Sequence, residues 1–446
     1  MVSVTRSSRE TALKASSVTD AAVLPDTWQV VQLGEVAQVK LGRTPARAER
    51  RYWDHGEVPW VSIADLTNGP VRSTRERISA VAHQEVFHGD LVPVGTLLMS
   101  FKLTVGKVGV LQIPAVHNEA IASFALDDSR IDRDFLFYLL QSLDYDACLD
   151  SYVKGKTLNK EKLAALPIVC PPLPEQRAIA HVLRTVQKAK EATEAVIAAT
   201  RELKKSLMRH LFTYGPVPVD QADQVPLKET EIGPVPEHWG VVSVGEVCER
   251  PQYGYTTSAV PDPVGPRFLR ITDIQDDYVN WTTVPFAEVA ATEQDKYRLQ
   301  DGDIVVARIG ATTGKTYRVV DPPLAVFASY LIRLRAKRSV LLPTYLHAFT
   351  RSELYWRQIN QTKGGRLKLG VNIPALQALR MPLPPLEEQE QISAAVDALD
   401  RKIRAEKARM ESLDTLLQSL LHHLMTCKVR LDESRFSMDR DSEPVR

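Results

Sequence analysis

At 446 residues the chain exceeds one ordinary domain and suits two or three, each able to bury its own core. With 44% hydrophobic and 25% charged residues it has a globular composition, which excludes extended disorder outside its ends. No run approaches the roughly 20 apolar residues of a membrane span, and the start lacks a signal-peptide core, so a cytoplasmic protein is expected. A net charge of +1 neither favours nor excludes nucleic acid, because the distribution of charge decides.

Residues 1–24 show no periodic pattern and are expected to be a flexible N-terminal segment. From 25 to 170 runs such as Trp60 to Ile63 and Leu97 to Phe101, set between Gly, Pro and Asp turns, predict strands. A helix over Asp132 to Leu149 closes this first body.

The pattern then changes to a helix over 171–214 that opens at prolines beside acidic residues, as a helix N-terminus favours. Ile179, Val182, Val186, Ala189, Thr193, Val196, Thr200, Leu203 and Leu207 follow at steps of three and four, a heptad seam. A linker over 215–235 leads to a second body, 236–383, with predicted strands at Phe268 to Ile271 and Asp303 to Arg308 and a closing helix over Pro343 to Asn360. A second long helix over 384–427 carries its seam on Ile392, Val396, Leu399, Ile403, Glu406, Met410, Leu413, Leu417, Leu420 and Leu424. The charged tail, 428–446, is expected to be flexible.

The two halves repeat one another. Pro25, Trp28, Val30, Val31, Gly34, Glu35 and Val36 recur 211 positions later as Pro236, Trp239, Val241, Val242, Gly245, Glu246 and Val247. Further along, Ile63 and Asp65 match Ile271 and Asp273; Thr104, Gly106 and Lys107 match Thr312, Gly314 and Lys315; Ala122 and Ser123 match Ala328 and Ser329. Pro171 to Ile179, PPLPEQRAI, matches Pro384 to Ile392, PPLEEQEQI. Trp28 and Trp239 are expected to anchor the first strand of each body in its core.

Connectivity sets the expected architecture. The first helix leads from body one to body two and the second starts at body two, so pairing makes them antiparallel, with a pseudo-twofold axis relating two α+β domains. A helix of about 38 residues is roughly 57 Å long, comparable to some 17 base pairs.

Three chemical look-alikes fail on spacing or residue type. Gly310 to Thr316, GATTGKT, resembles a phosphate-cradling loop, but three residues separate its glycines where that motif needs four. A strand-turn-strand explains it and its counterpart Thr104 to Lys107. Asp321-Pro-Pro-Leu324 resembles an amino-methyltransferase motif, but Leu324 cannot stack on a flipped base and no glycine-rich methyl-donor site accompanies it. Cys148, Cys170, Cys248 and Cys427 lie far apart, with no histidine at metal-ligand spacing, and read as reduced structural thiols. No catalytic residue and no metal ligand is assigned. From Leu331 to Gly370 nine basic residues face one acid, Glu353, which is either a solvated face or a phosphate-binding surface.

The opening P-x-x-W-x-x-x-x-L/V-G-E-V and closing P-P-L-x-E-Q, each present twice and in order, resemble the specificity subunit of type I restriction-modification systems from Pro25 to about Leu424. The resemblance implies that each body is a target-recognition domain reading half of a split target in double-stranded DNA, and that the helices space the domains and dock other subunits. It also implies two copies of a modification subunit that methylate adenine with S-adenosylmethionine, and restriction subunits that use ATP and Mg²⁺. This chain itself then binds none of these cofactors and carries no catalysis.

Base reading needs Arg or Lys, Asn or Gln at groove edges, with other cations on phosphates. Candidates in the first domain are Arg72, Arg75, Lys102, Lys107, Lys154 and Lys156; in the second, Arg270, Arg308, Lys315, Lys363, Arg366 and Lys368. Simple solubility is the alternative for each. Strong divergence of the bodies outside the shared framework predicts an asymmetric, bipartite target. Two competing readings are a stand-alone DNA methyltransferase or nuclease with duplicated DNA-binding modules, and a scaffold that reads no DNA.

Overall fold

The computed structural model describes residues 24–145, 158–275, 278–362 and 370–431. Two compact units emerge: one holds the residues up to Thr193 together with those from Arg409 onward, the other holds Glu194–Ala408. Each contains one strand-rich body and one stretch of both long helices.

In the first unit the strands are β1 Gln29–Gln32, β2 Ala37–Leu41, β3 Val58–Val61, β4 Gly69–Val71, β5 Glu76–Ile78, β6 Leu97–Ser100, β7 Val108–Leu111, β8 Val116–His117, β9 Ile121–Leu126 and β10 Pro167–Cys170. A five-stranded sheet runs β2-β9-β6-β7-β4, a three-stranded sheet runs β5-β3-β8, and β1 pairs with β10. The centre of the larger sheet is β6, whose four residues Leu-Leu-Met-Ser are all buried. Side chains alternate across a strand, so Leu97 and Met99 enter the main core with Phe124, Phe135 and Leu136, while Leu98 enters a second cluster with Leu66, Leu111 and Ile121. A strand covered on both faces needs this continuous apolar run.

The second unit repeats the plan with β11 Leu227–Lys228, β12 Val235–Pro236, β13 Gly240–Ser243, β14 Gln252–Tyr253, β15 Arg267–Leu269, β16 Ile274–Gln275, β17 Tyr278–Val279, β18 Ile304–Ala307, β19 Thr316–Arg318, β20 Ala325–Phe327, β21 Leu331–Leu334 and β22 Arg380–Leu383. Its main sheet runs β14-β21-β18-β19. β18 plays the part of β6: Ile304 and Val306 face one core, Val305 and Ala307 the other. A parallel pair, β3 with β8 and β15 with β20, recurs in both bodies. In each, the last strand returns antiparallel to the first, Val30 opposite Val169 and Val241 opposite Pro382. Each long helix therefore starts beside the entry point of its own body.

The closing helices differ from expectation. The first spans Arg133–Ser142, capped by the Asp132 carboxylate on the Phe135 N–H, and positions 146–149 of its expected range lie outside the described residues. The second is broken into Pro343–Phe349 and Glu353–Thr362. Hydroxyls interrupt it: Thr350 donates to the His347 carbonyl, and Ser352 accepts from the Tyr355 N–H and so caps the second piece.

The long helices span Leu173–Tyr214 and Leu386–Met425, 42 and 40 residues. The first ends at Gly215, which adopts a left-handed φ of 83° and donates back to Leu211. Within each unit the two run antiparallel. Lys190 pairs with Asp414 in the first unit and Lys204 with Asp400 in the second. In the second helix all ten assigned seam residues, Ile392, Val396, Leu399, Ile403, Glu406, Met410, Leu413, Leu417, Leu420 and Leu424, are buried or half-buried.

The first seam requires a correction. Ile179 is buried and Val182, Val186 and Leu207 are half-buried, but Val196 and Leu203 are 40% and 57% exposed. The covered line keeps Thr193, Thr200 and Leu207 as expected but runs through Ile197 and Lys204 in place of Val196 and Leu203, with Met208 also buried. At two positions the line moves on by one residue, and the polar groups it carries are satisfied. The Thr193 hydroxyl donates to the Ala189 carbonyl at 2.8 Å, and the Lys204 ammonium is neutralised by Asp400.

Candidate nucleic-acid interface

One polar constellation fixes each domain to its helix, and it occurs twice. The Trp28 indole N–H donates to Glu175 at 3.0 Å, and that of Trp239 to Glu388 at 2.8 Å. Both rings are buried. Next in sequence, the Gln176 side-chain oxygen accepts from the Asp132 N–H while its amide donates to the Arg130 and Pro171 carbonyls. Gln389 accepts from the Leu342 N–H and donates to the Val340 and Pro384 carbonyls. The closing P-P-L-x-E-Q motif is thus a clamp: its Glu holds the entry tryptophan, and its Gln holds the start of the closing helix.

A hairpin projects at the centre of each domain. Between β6 and β7 the turn carries Lys102 and Lys107, both half-buried. Leu103 at its tip is 93% exposed with a φ of 63°. Between β18 and β19 lie Arg308 and Lys315. Gly106 and Gly314 hold equivalent positions with φ of 89° and 90°. Beyond this conformation, a Cβ on Gly106 would lie 2.5 Å from the Tyr145 ring, and one on Gly314 would lie 2.9 Å from Ile359. The shared Gly-Lys step is therefore dictated by a turn packed under a helix. Amides of the GATTGKT segment are spent inside that turn: Thr313 on Gly310, Gly314 on Ala307 and Lys315 on Thr312. They do not form a phosphate cradle.

The candidate cations separate into distinct groups. Arg270 makes a bidentate pair with Asp273, at 3.0 and 2.7 Å, in a turn where the first domain has Ser62 on Asp65. Arg75 is exposed, its guanidinium 3.8 Å from Asp65. Arg72 is exposed just past β4, which runs parallel to β7 and puts it at the end away from the Lys102–Lys107 turn. The Lys102 ammonium sits 5.4 Å from the Phe101 ring centre. Arg308 lies over Tyr253 at 4.7 Å. Lys154, Lys156, Lys363, Arg366 and Lys368 lie outside the described residues.

Part of the basic run from Leu331 to Gly370 is consumed internally. Arg335 is bound to Asp303 at 2.7 and 2.9 Å, Arg333 to Gln252, and Arg351 to Asp400. Lys337 and Arg338 donate to the carbonyls of Glu246 and Asp301. Arg333, Arg335 and Arg351 are thus taken up inside the domain, while Lys337, Arg338 and Arg357 stay exposed and Lys363, Arg366 and Lys368 lie outside the described residues. Burial raises the thiols of Cys170 and Cys248 to about 11 and about 12, so both are protonated and inert at neutral pH. Cys148 is outside the described residues.

In the sequence Glu175 and Glu388 stand only as motif letters with no partner; the tryptophan repeated at nearly the same offset is the signal that could pair them. Tyr253, the platform under Arg308, carried no signal.

Two strand-rich domains on matching helix clamps, each presenting a cation-bearing hairpin, define a duplicated recognition protein. The chain belongs to the type I restriction-modification DNA specificity family: the model of the type I restriction modification DNA specificity domain matches residues 25–199 and 236–415. It is 24% identical over 424 residues to the type I restriction enzyme MjaVIII specificity subunit of Methanocaldococcus jannaschii, covering 93% of this chain and 95% of that one. To the EcoBI specificity subunit of Escherichia coli it is 21% identical over 413 residues, covering 87% and 84%. A solved type I S subunit from M. genitalium shares the fold with a TM-score of 0.57 at 14% identity, over 90% of this chain and 97% of that one. The chain is accordingly a DNA-recognition subunit of a type I restriction-modification system, and its two bodies are target-recognition domains. That reading prevails over a stand-alone methyltransferase or nuclease.

Proposed function

We propose that this subunit reads an asymmetric, bipartite target in double-stranded DNA, one half per domain, and presents it to two modification subunits, with restriction subunits joining that complex. Adenine methylation and cleavage then belong to those partners, which bind S-adenosylmethionine, ATP and Mg²⁺, while this chain binds none of them and acts in the cytoplasm alongside the DNA. One observation carries the reading: the clamp is the same in both domains, whereas the hairpins it supports differ. With β6 and β18 matched, Phe101 stands where the second domain has Arg308, and the second turn is one residue longer, carrying Gly310 and Ala311 where the first carries Lys102 and Leu103. Equal scaffolds with unequal reading side chains suit two different half-sites.

The helices serve as the spacer. At 1.5 Å per residue, 42 residues give a rod of about 63 Å. Inserting four residues near Val196 lengthens it by about 6 Å, close to two base pairs. Methylation by the assembled complex should move to targets with a longer gap; methylation that keeps its original gap would sink the spacer role.

A further inference from the structure

We propose that Arg308 is the side chain with which the second recognition domain reads a guanine, held ready by Tyr253, while Lys315 at the other end of the hairpin meets the phosphate backbone. This rests on the reading that the second domain binds one half-site.

Other guanidinium groups of this domain show what an internally used arginine looks like here. Arg270, Arg335 and Arg338 are committed to Asp273, Asp303 and the Asp301 carbonyl, and Arg267 donates to the Val284 carbonyl. Arg308 differs from all of them. Among the described residues its guanidinium has no hydrogen bond and no ion pair, and its Nε is buried without a partner. Its one close companion is the Tyr253 ring, 4.7 Å from the guanidinium carbon. A buried N–H without an acceptor is costly, so an arginine kept in this state is suited to an acceptor that arrives with a ligand.

Its surroundings are fixed. The Arg308 N–H donates to the Tyr330 carbonyl at 3.0 Å and its own carbonyl accepts from the Val371 N–H at 2.9 Å. Tyr253 is held at both ends, its backbone opposite Ile332 and its hydroxyl accepting from the Ile373 N–H at 3.3 Å. A guanidinium stacked on a ring keeps one plane and presents a fork of parallel N–H donors, which matches the O6 and N7 acceptors of guanine in the major groove. A lysine, a flexible point charge, suits a phosphate better than a base edge. In the first domain the residue at the same ladder position is Phe101, whose N–H donates to the Ala120 carbonyl as that of Arg308 does to Tyr330, and whose buried ring offers a base edge no donor. The guanine contact therefore belongs to one half-site only.

The test uses the full chain assembled with modification subunits and a DNA library varied at every position of both half-sites. Arg308→Ala and Arg308→Lys should each lower discrimination about 10- to 100-fold at a single G·C pair of one half-site, with every other position unchanged. Tyr253→Leu should soften the same position. If the alanine variant does not fold, the lysine variant, which keeps the charge and the stem, decides. Weakening that is uniform over all sequences would make Arg308 a phosphate contact and overturn the assignment, as would an unchanged preference. Wild-type complex with no bipartite preference would instead sink the two-half-site reading, and the guanine contact with it.

Discussion

Gln389 is fully buried, and its amide meets three backbone groups from two segments: the Leu342 N–H and the Val340 carbonyl on one, the Pro384 carbonyl on the other. Gln389→Ala removes all three contacts at once and leaves the space empty. A buried polar group stripped of its partner costs about 1–3 kcal/mol. Three such groups, partly relieved by entering water, bring the loss to about 3–6 kcal/mol, much of a typical domain's stability. Gln176→Ala should lose a similar amount, because Gln176 holds the Asp132 N–H and the Arg130 and Pro171 carbonyls in the same way. Amide hydrogen exchange separates the two effects. Gln389→Ala should deprotect β22 and the Pro343–Phe349 helix while β1 and β10 stay protected, and Gln176→Ala should do the reverse. A cost below about 1 kcal/mol in either variant, or deprotection spread equally over both bodies, would refute the clamp.

Other expectations concern the helices, the tryptophans and the buried histidines. Asp400→Ala leaves the mostly buried Lys204 without its carboxylate and takes one ion-pair partner from Arg351, and should cost about 3–5 kcal/mol in urea unfolding, largely recovered when Lys204 is also made apolar. Ile197→Ala should cost about 2–4 kcal/mol, whereas Leu203→Lys should stay within about 0.5 kcal/mol; equal effects would contradict the shifted seam. Trp239→Phe keeps the apolar ring but loses its bond to Glu388, with an expected cost of about 1.5–3 kcal/mol in thermal unfolding. Burial lowers His117 to about 4 and His347 to about 3, so both stay neutral in the folded chain where the unfolded chain binds protons. Stability should therefore be full above about pH 6.5 and fall as pH drops toward those values, by about 2 kcal/mol per histidine at pH 5. A denaturation midpoint flat from pH 7.5 to 5 would contradict this.

Features set by local pattern or by repetition were readable in the sequence. The duplicated Trp and Glu-Gln letters mark the residues of both clamps without showing that they meet, and the Thr-x-Gly-Lys step marks both hairpins, because turn chemistry acts over a few residues. Partners brought together only by folding were not readable. Nothing near Lys204 announces Asp400, so an aliphatic seam through Val196 and Leu203 looked better than the true line through a paired lysine. Likewise Asp303, far from Arg335 in the chain, turns part of a basic run into a framework of the domain interior. Arg270 and Arg308 were equivalent letters in the sequence; Asp273 neutralises one and Tyr253 merely supports the other. The helix break at Thr350 and Ser352 depends on hydroxyls turning back to the main chain, which the apolar periodicity of Pro343 to Asn360 conceals.

The central claim is that this chain alone chooses a split target. Methylome sequencing of a host with and without the chain, the modification subunits being present in both, tests it directly. The expected result is adenine methylation at a motif of two unlike specified blocks separated by a fixed unspecified gap, present with the chain and lost without it. A methylation pattern that is unchanged by its removal, or a single uninterrupted motif, would contradict the account.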